Sequence, residues 1–317
     1  MRAMVLAAGL GTRLRPLTLE RPKPAVPLAF HPLGAYALDH LARSGILEVA
    51  MNSHHLPEVL REQMLRAVGD RQRLHFLHEP ELLGTGGGIR NAAAFLLEGE
   101  AEAPVIVMNG DILFAPALEG ALALHRAQDA IATMILRADP RADRLGSIEI
   151  DAQGRVRRML GEPGAPPEGE RMPTLRKFMF TGVHILSPRA FRDLPERGCI
   201  VRRSYRRWID EGDVVTGFVD DSPWMDLGTP EAYLRANLEL ASGRLPWPGV
   251  QPGAGGSLIH PEAEVGAGAE VIESVVGPGA RVDPGLRLER CVLWAGASAQ
   301  TDLRQAIVGR TQRLTLG

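Results

Sequence analysis

Residues 3–24 read AMVLAAGLGTRLRPLTLERPKP and place a glycine-rich turn directly after a short apolar run. The run at 3–8 has no polar position, which is typical of a strand buried on both faces of a parallel sheet. Gly9 and Gly11 then allow backbone N–H groups to come close to a bound anion. The stretch therefore predicts a strand whose carboxyl end carries an anion-binding turn.

Three cationic side chains, Arg13, Arg15 and Lys23, add positive charge to this turn. Arginine suits bidentate contact with phosphate, and lysine acts as a point charge. The Walker pattern is absent, and Leu14 stands where the dinucleotide-binding pattern has its third glycine. The combination favours a polyphosphate ligand such as a nucleoside triphosphate. The alternative is a solvated basic loop between two elements.

Strand and helix patterns alternate outward from this turn through the first half of the chain. The strand patterns lie at 46–52, 73–79 and 104–111, and the helix patterns at 34–45, 57–69 and 89–99. This alternation predicts an α/β fold with a mainly parallel, doubly wound, Rossmann-like sheet. Such sheets bind ligands at the carboxyl ends of their strands.

The middle of the chain is less regular. Its patterns predict a hairpin at 146–160, a loop at 161–173, a strand at 177–188, a strand pair at 214–219 and 223–226, and a helix at 230–243.

The composition changes after residue 243. Residues 244–256 are rich in proline and glycine and are predicted to be a linker. Beyond them aliphatic residues recur about six apart, and doublets begin at Val275, Val292 and Ile307. This periodicity predicts a short hexapeptide-type, left-handed β-helix-like domain of about three coils over 257–317, after an α/β domain over 1–243. The alternative is an irregular β-rich tail.

Composition bounds the kind of protein. The chain has 317 residues, 45% of them hydrophobic, and a formal net charge of −2, which points to neither nucleic acid nor an anionic membrane as a partner. Two cysteines argue against a disulfide scaffold and fit a reducing cytoplasm. The apolar run that begins at Met4 is too short for a signal peptide. No stretch reaches the roughly 20 apolar residues of a membrane span.

Five ordered motifs resemble those of the sugar-1-phosphate nucleotidyltransferases, which make nucleotide sugars. Residues 6–24, LAAGLGTRLRPLT…RPKP, resemble the signature of that family. The later motifs are ELLGTGGGIRNA (81–92), VMNGD (107–111), FTGVHILSP (180–188) and WMDLGTPEAYLRAN (224–237). The resemblance covers roughly residues 1–241, and many members carry a similar tail, so it implies an enzyme that joins a sugar 1-phosphate to an NTP and releases pyrophosphate.

The resemblance also implies roles for matching residues. Arg13 and Lys23 are the implied catalytic residues, and Asp111 and Asp226 the implied ligands of Mg²⁺. The implied nucleotide-binding residues are Leu6, Ala8, Gly9, Gly11, Thr12, Gly84, Thr85, Gly86, Asn109 and Gly110. The implied sugar-binding residues are Glu162, Thr181 and Gly182.

The sugar pocket departs from the family pattern. Many members have Glu-Lys-Pro there, whereas Pro163 follows Glu162 directly in this chain. Lys177 is a candidate replacement for the missing lysine, although a solvated strand flank is the simpler interpretation. The segment ELLGTGG and the tail favour a mannose- or heptose-phosphate guanylyltransferase-like enzyme. Uridylyltransferases acting on muramic-acid phosphate, and enzymes acting on glucose, remain alternatives.

Two hypotheses come from other classes. A nucleotide-sugar-binding regulatory subunit would keep the fold without turnover, but it would not need both metal carboxylates. An acyltransferase run by the tail would need a donor groove, for which about 60 residues are too few. The tail makes a homo-oligomer plausible, because a short β-helix must pack against something. The histidines at 54, 55, 75 and 78 do not form a zinc pattern. The four arginines within 202–207 are interpreted as a solvated face or a subunit contact, with an anionic-ligand site as the alternative.

Overall fold

The computed structural model describes residues 1–99, 102–160, 162–163 and 174–316, without the side chains of residues 144, 145, 162 and 163. Most of the loop predicted at 161–173 therefore lies outside the described residues. The chain forms two compact units. Unit 1 comprises residues 1–9, 37–54 and 68–224, and unit 2 comprises residues 10–36, 55–67 and 225–317.

Eight α-helices lie in the described residues, and none of these is long and apolar enough to cross a membrane. They are α1 Leu33–Arg43, α2 Pro57–Val68, α3 Gly84–Asn91, α4 Ala93–Leu96, α5 Leu118–Ala127, α6 Ala142–Leu145, α7 Arg206–Glu211 and α8 Pro230–Ala241. Short 3₁₀ turns lie at Thr12–Leu14, Leu17–Leu19, Lys23–Ala25, Gly69–Arg71, Pro188–Asp193 and Ala254–Gly256, and a π-helical turn at Val201–Tyr205.

The strands before residue 243 include those of the main sheet. They are β1 Ala3–Leu6, β2 Pro27–Leu28, β3 His31–Pro32, β4 Glu48–Ser53, β5 Arg73–His78, β6 Val105–Asn109, β7 Ile112–Phe114, β8 Ala132–Arg137, β9 Ser147–Ile150, β10 Val156–Met159, β11 Glu162–Pro163, β12 Arg176–Leu186, β13 Val215–Val219 and β14 Trp224–Asp226.

The main sheet of unit 1 is built around β1. Its neighbours β4 and β6 both run parallel to it, and β5 continues the parallel part beyond β4. The predicted α/β class is confirmed. The long strand β12 adds an antiparallel part, because it pairs with β6, β8 and β9 in that sense. Ligand chemistry is expected where the parallel strands end.

Several elements differ from their sequence prediction. The helix predicted at 89–99 begins earlier, at Gly84, and consists of two helices, α3 and α4. Strand β8 and helix α5 lie in a stretch for which no element was predicted. Strand β13 was expected to pair with 223–226, but it runs parallel to β8 instead. The hairpin is confirmed, since β9 and β10 are antiparallel.

A polar pair is enclosed in the apolar core of unit 1. Nδ1 of His184 and the hydroxyl of Tyr205 share a hydrogen bond of 2.6 Å, and both side chains are buried. Burial lowers the pKa of His184 to about 3 and that of the likewise buried His125 to about 4. Both imidazoles are therefore neutral in the folded protein, because burial disfavours the charged form.

Acid is expected to destabilise the protein through these two histidines. In the unfolded chain each takes up a proton below about pH 6.5, whereas the folded state does not, so stability falls as pH drops from about 7 towards 4. Each histidine should cost about 2 kcal/mol of unfolding free energy at pH 5. Urea unfolding at pH 7.5 and pH 5 measures this loss. His184→Gln should show a smaller loss than wild type, and an equal loss would contradict the assignment.

Unit 2 contains the coiled C-terminal strands. They are β15 Leu258–Ile259, β16 Glu264–Val265, β17 Glu270–Ile272, β18 Val275–Val276, β19 Arg281–Val282, β20 Arg287–Glu289, β21 Val292–Leu293, β22 Ser298–Ala299, β23 Leu303–Arg304, β24 Ala306–Val308 and β25 Arg313–Thr315. They form three sheets, of which the first has the order β15-β18-β21-β24-β25.

The three sheets stack successive coils in parallel. Val275 pairs with Val292, and Val292 pairs with Ile307, so the predicted doublets lie one above another. Inward-facing aliphatic side chains such as Val282 and Leu288 form the core. A β-helix-like domain is confirmed. Its left-handed sense and the boundaries proposed at 243 and 257 stay predictions.

Candidate active site

The glycine-rich signature loop of unit 2 folds as three consecutive 3₁₀ turns between Thr12 and Ala25. Gly11 has φ +59°, and a Cβ there would lie 2.9 Å from Thr18 Cγ2, so only glycine fits. The Thr18 hydroxyl donates to the Gly11 carbonyl at 3.0 Å. Leu14 and Leu17 are buried beneath the loop, whereas Thr12 is exposed. The apolar anchors hold the loop while its polar side chains stay accessible.

Two of the predicted cations converge on one predicted metal ligand within unit 2. Lys23 is 4% exposed, and its Nζ lies 3.3 Å from Oδ1 of Asp226. Nη2 of Arg13 lies 3.7 Å from Oδ2 of the same carboxylate. A Cβ at Gly228 would lie 2.6 Å from Arg13 Nη2, so this glycine makes room for the guanidinium. The sequence separation between Lys23 and Asp226 hides this cluster from any local pattern.

In unit 1 the carboxyl ends of β1 and β6 bring further predicted residues together. Leu6 pairs with Asn109, and the Gly110 N–H donates to the Leu6 carbonyl at 2.9 Å. A Cβ at Gly110 would lie 2.8 Å from Val5 Cγ1, which explains the glycine. Asp111 follows directly and is half-buried. The NGD segment is thus fixed against the end of β1 by backbone packing.

The first residues of the glycine-rich turn belong to unit 1, and Gly9 among them is accessible. Ala8 is buried, whereas Gly9 is exposed and a Cβ there would meet nothing within 4 Å. Its backbone can therefore be approached closely, as the anion-binding interpretation requires.

Two buried polar side chains that the sequence did not single out join three strand ends in unit 1. Asn52 Oδ1 accepts from the Ala7 N–H at 2.7 Å, and Asn52 Nδ2 donates to Glu79 Oε1 at 2.8 Å. Glu79 Oε2 accepts from the Leu83 N–H at 3.0 Å. Glu79 is 1% exposed, and these two donors satisfy its buried carboxylate. The chain of bonds connects the turn after β1 to Leu83, the residue just before α3.

The glycines of the second motif are explained first by packing within unit 1. A Cβ at Gly84 would lie 2.8 Å from the Gly198 carbonyl oxygen, and one at Gly86 would lie 2.7 Å from Pro195 Cγ. The Gly86 N–H donates to the Gly198 carbonyl, and Thr85 Oγ1 accepts from the Ile200 N–H at 3.0 Å. Contact of Gly84, Thr85 and Gly86 with a nucleoside stays a prediction.

The FTG motif forms an irregularity in β12. Phe180 pairs with Leu136 but His184 pairs with Met134, so three residues of β12 face Ile135 alone. The Thr181 hydroxyl donates to the Ile135 carbonyl at 2.7 Å, and Trp224 Nε1 donates to the Thr181 carbonyl at 2.9 Å. Such bulges bend a strand and re-aim its side chains near functional sites. The Trp224 side chain thus helps to fix this bulge.

Gly182→Ala is expected to be strongly destabilising. Gly182 has φ +88°, and a Cβ there would lie 2.5 Å from Asn109 Nδ2. Backbone strain of this kind costs about 1–3 kcal/mol, and displacement of Asn109 adds to it. Chemical denaturation and a turnover assay measure both effects.

Gly212→Ala is the matched control for this prediction. Its φ is +87°, but a Cβ there meets nothing within 4 Å. It should lose only the strain and keep its turnover. Equal stability of the two variants would contradict the role given to the contact with Asn109.

Lys177 and Glu162 are the two residues considered where the sugar pocket departs from the family pattern. Lys177 Nζ lies 2.6 Å from Asp143 Oδ1, and this ion pair raises the lysine's pKa. The backbone of Glu162 pairs with Met159 in a two-residue strand, and its side chain lies outside the described part. Replacement of the missing lysine by Lys177, and sugar binding by Glu162, stay predictions.

The histidines and the arginine run have local partners. His54 Nδ1 bonds the Glu79 carbonyl at 2.7 Å in unit 1, and His75 stacks on Phe95. Arg206 and Arg207 make ion pairs with carboxylates four residues later on α7. Each of these four side chains thus has a partner within the protein.

The donor chemistry fits Mg²⁺. Asp111 and Asp226 offer carboxylate oxygens, and Mg²⁺ is usually held by one or two carboxylates together with substrate phosphates. In the described part of the chain no three His, Cys, Asp or Glu side chains gather as a metal site. Binding of Mg²⁺ by Asp111 and Asp226 stays a prediction.

Comparisons with known proteins show the family of this chain. The family model described as nucleotidyl transferase matches residues 2–243. The mannose-1-phosphate guanylyltransferase of Mycobacterium tuberculosis is 33% identical over 304 residues, which cover 94% of this chain and 81% of that protein. The catalytic subunit beta of the Danio rerio mannose-1-phosphate guanylyltransferase is 27% identical, with coverage of 98% and 86%.

A solved structure with the same fold is HddC from Yersinia pseudotuberculosis, crystallised with GMP-PN. Its TM-score is 0.60 at 23% identity, over 74% of this chain and 97% of that chain. The chain therefore belongs to the nucleotidyl transferase family. Within it, the chain is an enzyme that joins a sugar 1-phosphate to an NTP, which fits these findings better than a regulatory subunit or an acyltransferase.

Proposed function

We propose that the enzyme transfers a guanylyl group from GTP to mannose 1-phosphate, giving GDP-mannose and pyrophosphate, with Mg²⁺ as its metal. The observation that supports these substrates is the 33% identity to a mannose-1-phosphate guanylyltransferase over 94% of this chain. Plant proteins bearing the same name, such as that of Arabidopsis thaliana at 28% identity, support it further.

The chemistry needs charge neutralisation more than proton transfer. The attacking oxygen belongs to a phosphate monoester whose second pKa is about 6, so it is already ionised near neutral pH. The enzyme must bring two polyanions together and stabilise the charge that leaves on pyrophosphate. Arg13 and Lys23 are the proposed groups for this, because both are cations held at one carboxylate, 3.7 and 3.3 Å from Asp226.

Each cation has a different proposed task. Arg13 is 68% exposed at its side chain and can swing onto the β- and γ-phosphates of GTP. Lys23 is buried, so its charge stays at one position, beside the α-phosphate or the sugar phosphate. Holding reacting groups in a fixed geometry removes an entropic part of the barrier.

The remaining predicted residues are proposed as binding groups. The nucleotide side would comprise Leu6, Ala8, Gly9, Gly11, Thr12, Gly84, Thr85, Gly86, Asn109 and Gly110. The sugar side would comprise Glu162, Thr181 and Gly182, with the buried hydroxyl of Thr181 acting through the backbone that it fixes. Asp111 and Asp226 would hold Mg²⁺, which when bound supplies positive charge to the phosphate oxygens.

The experiment is pyrophosphate release with Mg²⁺, for four NTPs crossed with the 1-phosphates of mannose, glucose, heptose and N-acetylated sugars. We expect the highest kcat/KM for GTP with mannose 1-phosphate. A higher value for another pair would correct the substrates and keep the class. Folded protein without turnover on any pair would contradict the proposal.

We also propose a cytoplasmic homo-oligomer that associates through the C-terminal domain. Cys199 and Cys291 are both free thiols, as suits a reducing compartment. The first coil exposes Ile259 and Val265, at 45% and 37%, which suits contact with a second copy. Light scattering after size-exclusion chromatography should give a multiple of 34.3 kDa, and a monomer would contradict the proposal.

A further inference from the structure

The last loop of the β-helix holds an acidic side chain of the signature loop, and both lie in unit 2. Glu20 Oε1 accepts from the Thr311 N–H at 3.0 Å and from the Thr311 hydroxyl at 2.8 Å. Glu20 Oε2 accepts from the Arg310 N–H at 3.2 Å. A Cβ at Gly309 would lie 2.8 Å from Glu20 Oε1, so glycine is needed for this approach. The β-helix loop thus encloses the carboxylate with three donors.

A second attachment lies seven residues further along the same segment. Trp294, on the β-helix, donates from Nε1 to the Tyr233 hydroxyl at 2.9 Å. The Tyr233 hydroxyl donates in turn to the Pro27 carbonyl. All three residues belong to unit 2, and Tyr233 and Trp294 are buried. The β-helix is therefore connected to both ends of the segment 20–27, directly at Glu20 and through Tyr233 at Pro27.

Between the two attachments the chain carries Lys23 and Arg21. The Arg21 guanidinium lies over the Trp294 ring, 5.9 Å from its centre, and its Nη1 donates to Gln63 Oε1 at 3.2 Å. Burial lowers the pKa of Arg21, and the positive charge of Arg310 lowers it further. The Arg21 side chain thus packs against the β-helix, whereas the Lys23 side chain contacts Asp226.

The signature loop has little regular structure of its own to hold this geometry. The backbone bonds that shape it are the short-range ones of its 3₁₀ turns, such as Leu19 N–H to the Pro16 carbonyl and Val26 N–H to the Lys23 carbonyl. Such turns are weak in isolation, so their order depends on side-chain anchors. Glu20 is an anchor placed three residues before Lys23.

We infer that the β-helix is part of the catalytic machinery, because its 309–311 loop and Trp294 hold residues 20–27 in the conformation that keeps Lys23 on Asp226. Glu20 is the positioning residue of this contact; it does not touch substrate. The expected effect on turnover rests on the proposed function. The expected effect on the conformation of the loop does not depend on it.

Glu20→Ala should lower kcat/KM for pyrophosphate release about 10- to 100-fold, which is the effect expected when a reacting group is misplaced. Thr311→Ala, which removes only the hydroxyl donor, should give a smaller loss. The double variant should be no worse than Glu20→Ala, because both changes break one contact. Glu270→Ala is the matched control, since its carboxylate bonds Arg287 at 2.7 Å within the β-helix and should leave turnover unchanged.

Hydrogen exchange separates a local effect from general destabilisation. In Glu20→Ala the amides of Leu14, Leu19, Ala25 and Val26, which donate within the loop, should exchange faster. Amides of the β1 strand in unit 1 should keep their wild-type rates. Faster exchange throughout the protein would show a merely structural role for Glu20 and overturn the inference.

Failure of the inference can be distinguished from failure of the proposed function. Active wild type with a fully active Glu20→Ala variant would overturn the inference alone. Wild type that is inactive on every substrate pair would contradict the proposed function, and exchange in the loop would then decide whether Glu20 orders it. Loop amides that keep their wild-type rates in Glu20→Ala would overturn the inference in either case.

Discussion

Arg13→Ala is expected to lower turnover about 10²- to 10³-fold with little change in stability. Removal of one hydrogen-bond donor that stabilises the charge developing in the transition state lowers the rate by about this factor. The side chain is 68% exposed and lies 3.7 Å from Asp226, so its ion pair contributes little to folding. Initial rates of pyrophosphate release, with thermal unfolding measured on the same preparation, test the prediction.

The control for Arg13 is Arg66→Ala. Arg66 is an arginine of unit 2 that is 72% exposed and bonds Glu62 at 2.8 Å on helix α2. It shares the charge and exposure of Arg13 but not its contact with Asp226, so its turnover should be unchanged. Near-normal turnover of Arg13→Ala would remove the catalytic assignment of this residue.

Asp111→Ala is expected to lower turnover by a similar factor, about 10²- to 10³-fold. The residue follows Gly110, whose N–H is bonded to the end of β1, so the carboxylate stands on a rigid backbone. Loss of a proposed Mg²⁺ ligand should also raise the Mg²⁺ concentration needed for half-maximal rate, because Mg²⁺ is held by few protein carboxylates. A Mg²⁺ titration of the rate measures both effects.

Asp70→Ala provides the comparison for Asp111. Asp70 is exposed in a 3₁₀ turn of the same unit, which follows helix α2 in the sequence. Its removal changes the net charge by the same amount without touching a strand end of the sheet. An Asp111→Ala variant with wild-type rate and an unchanged Mg²⁺ dependence would exclude Asp111 as a ligand.

Local patterns were sufficient for much of the fold. The apolar run at 3–8 and the glycines after it predicted β1 and its turn, because strand burial and left-handed backbone leave direct marks on residue choice. The doublets at Val275, Val292 and Ile307 predicted the stacked coils, since each coil places the same residue type at the same position.

Other features had no local signal. Asn52 and Glu79 meet although they are 27 residues apart, and neither belongs to a motif that predicts a buried polar bond. No helix was predicted over the glycines at 84–88, because glycine disfavours a helix, yet they form the first part of α3 with neighbouring groups packed closely against them. The bulge at Thr181 depends on three strands pairing with β12, so its position follows from register and not from composition.

The amino-acid sequence by itself determined the glycine-rich turn with Arg13 and Lys23, the parallel strands and the coiled tail, because these follow from short-range preferences of backbone and side chain. Only the tertiary structure decided that Lys23 and Arg13 share Asp226, and that Glu20 is bound by residues 310 and 311. The partners in these contacts are about 200 to 290 residues apart. Such pairs form only when the whole of unit 2 has folded, and no spacing within one segment encodes them.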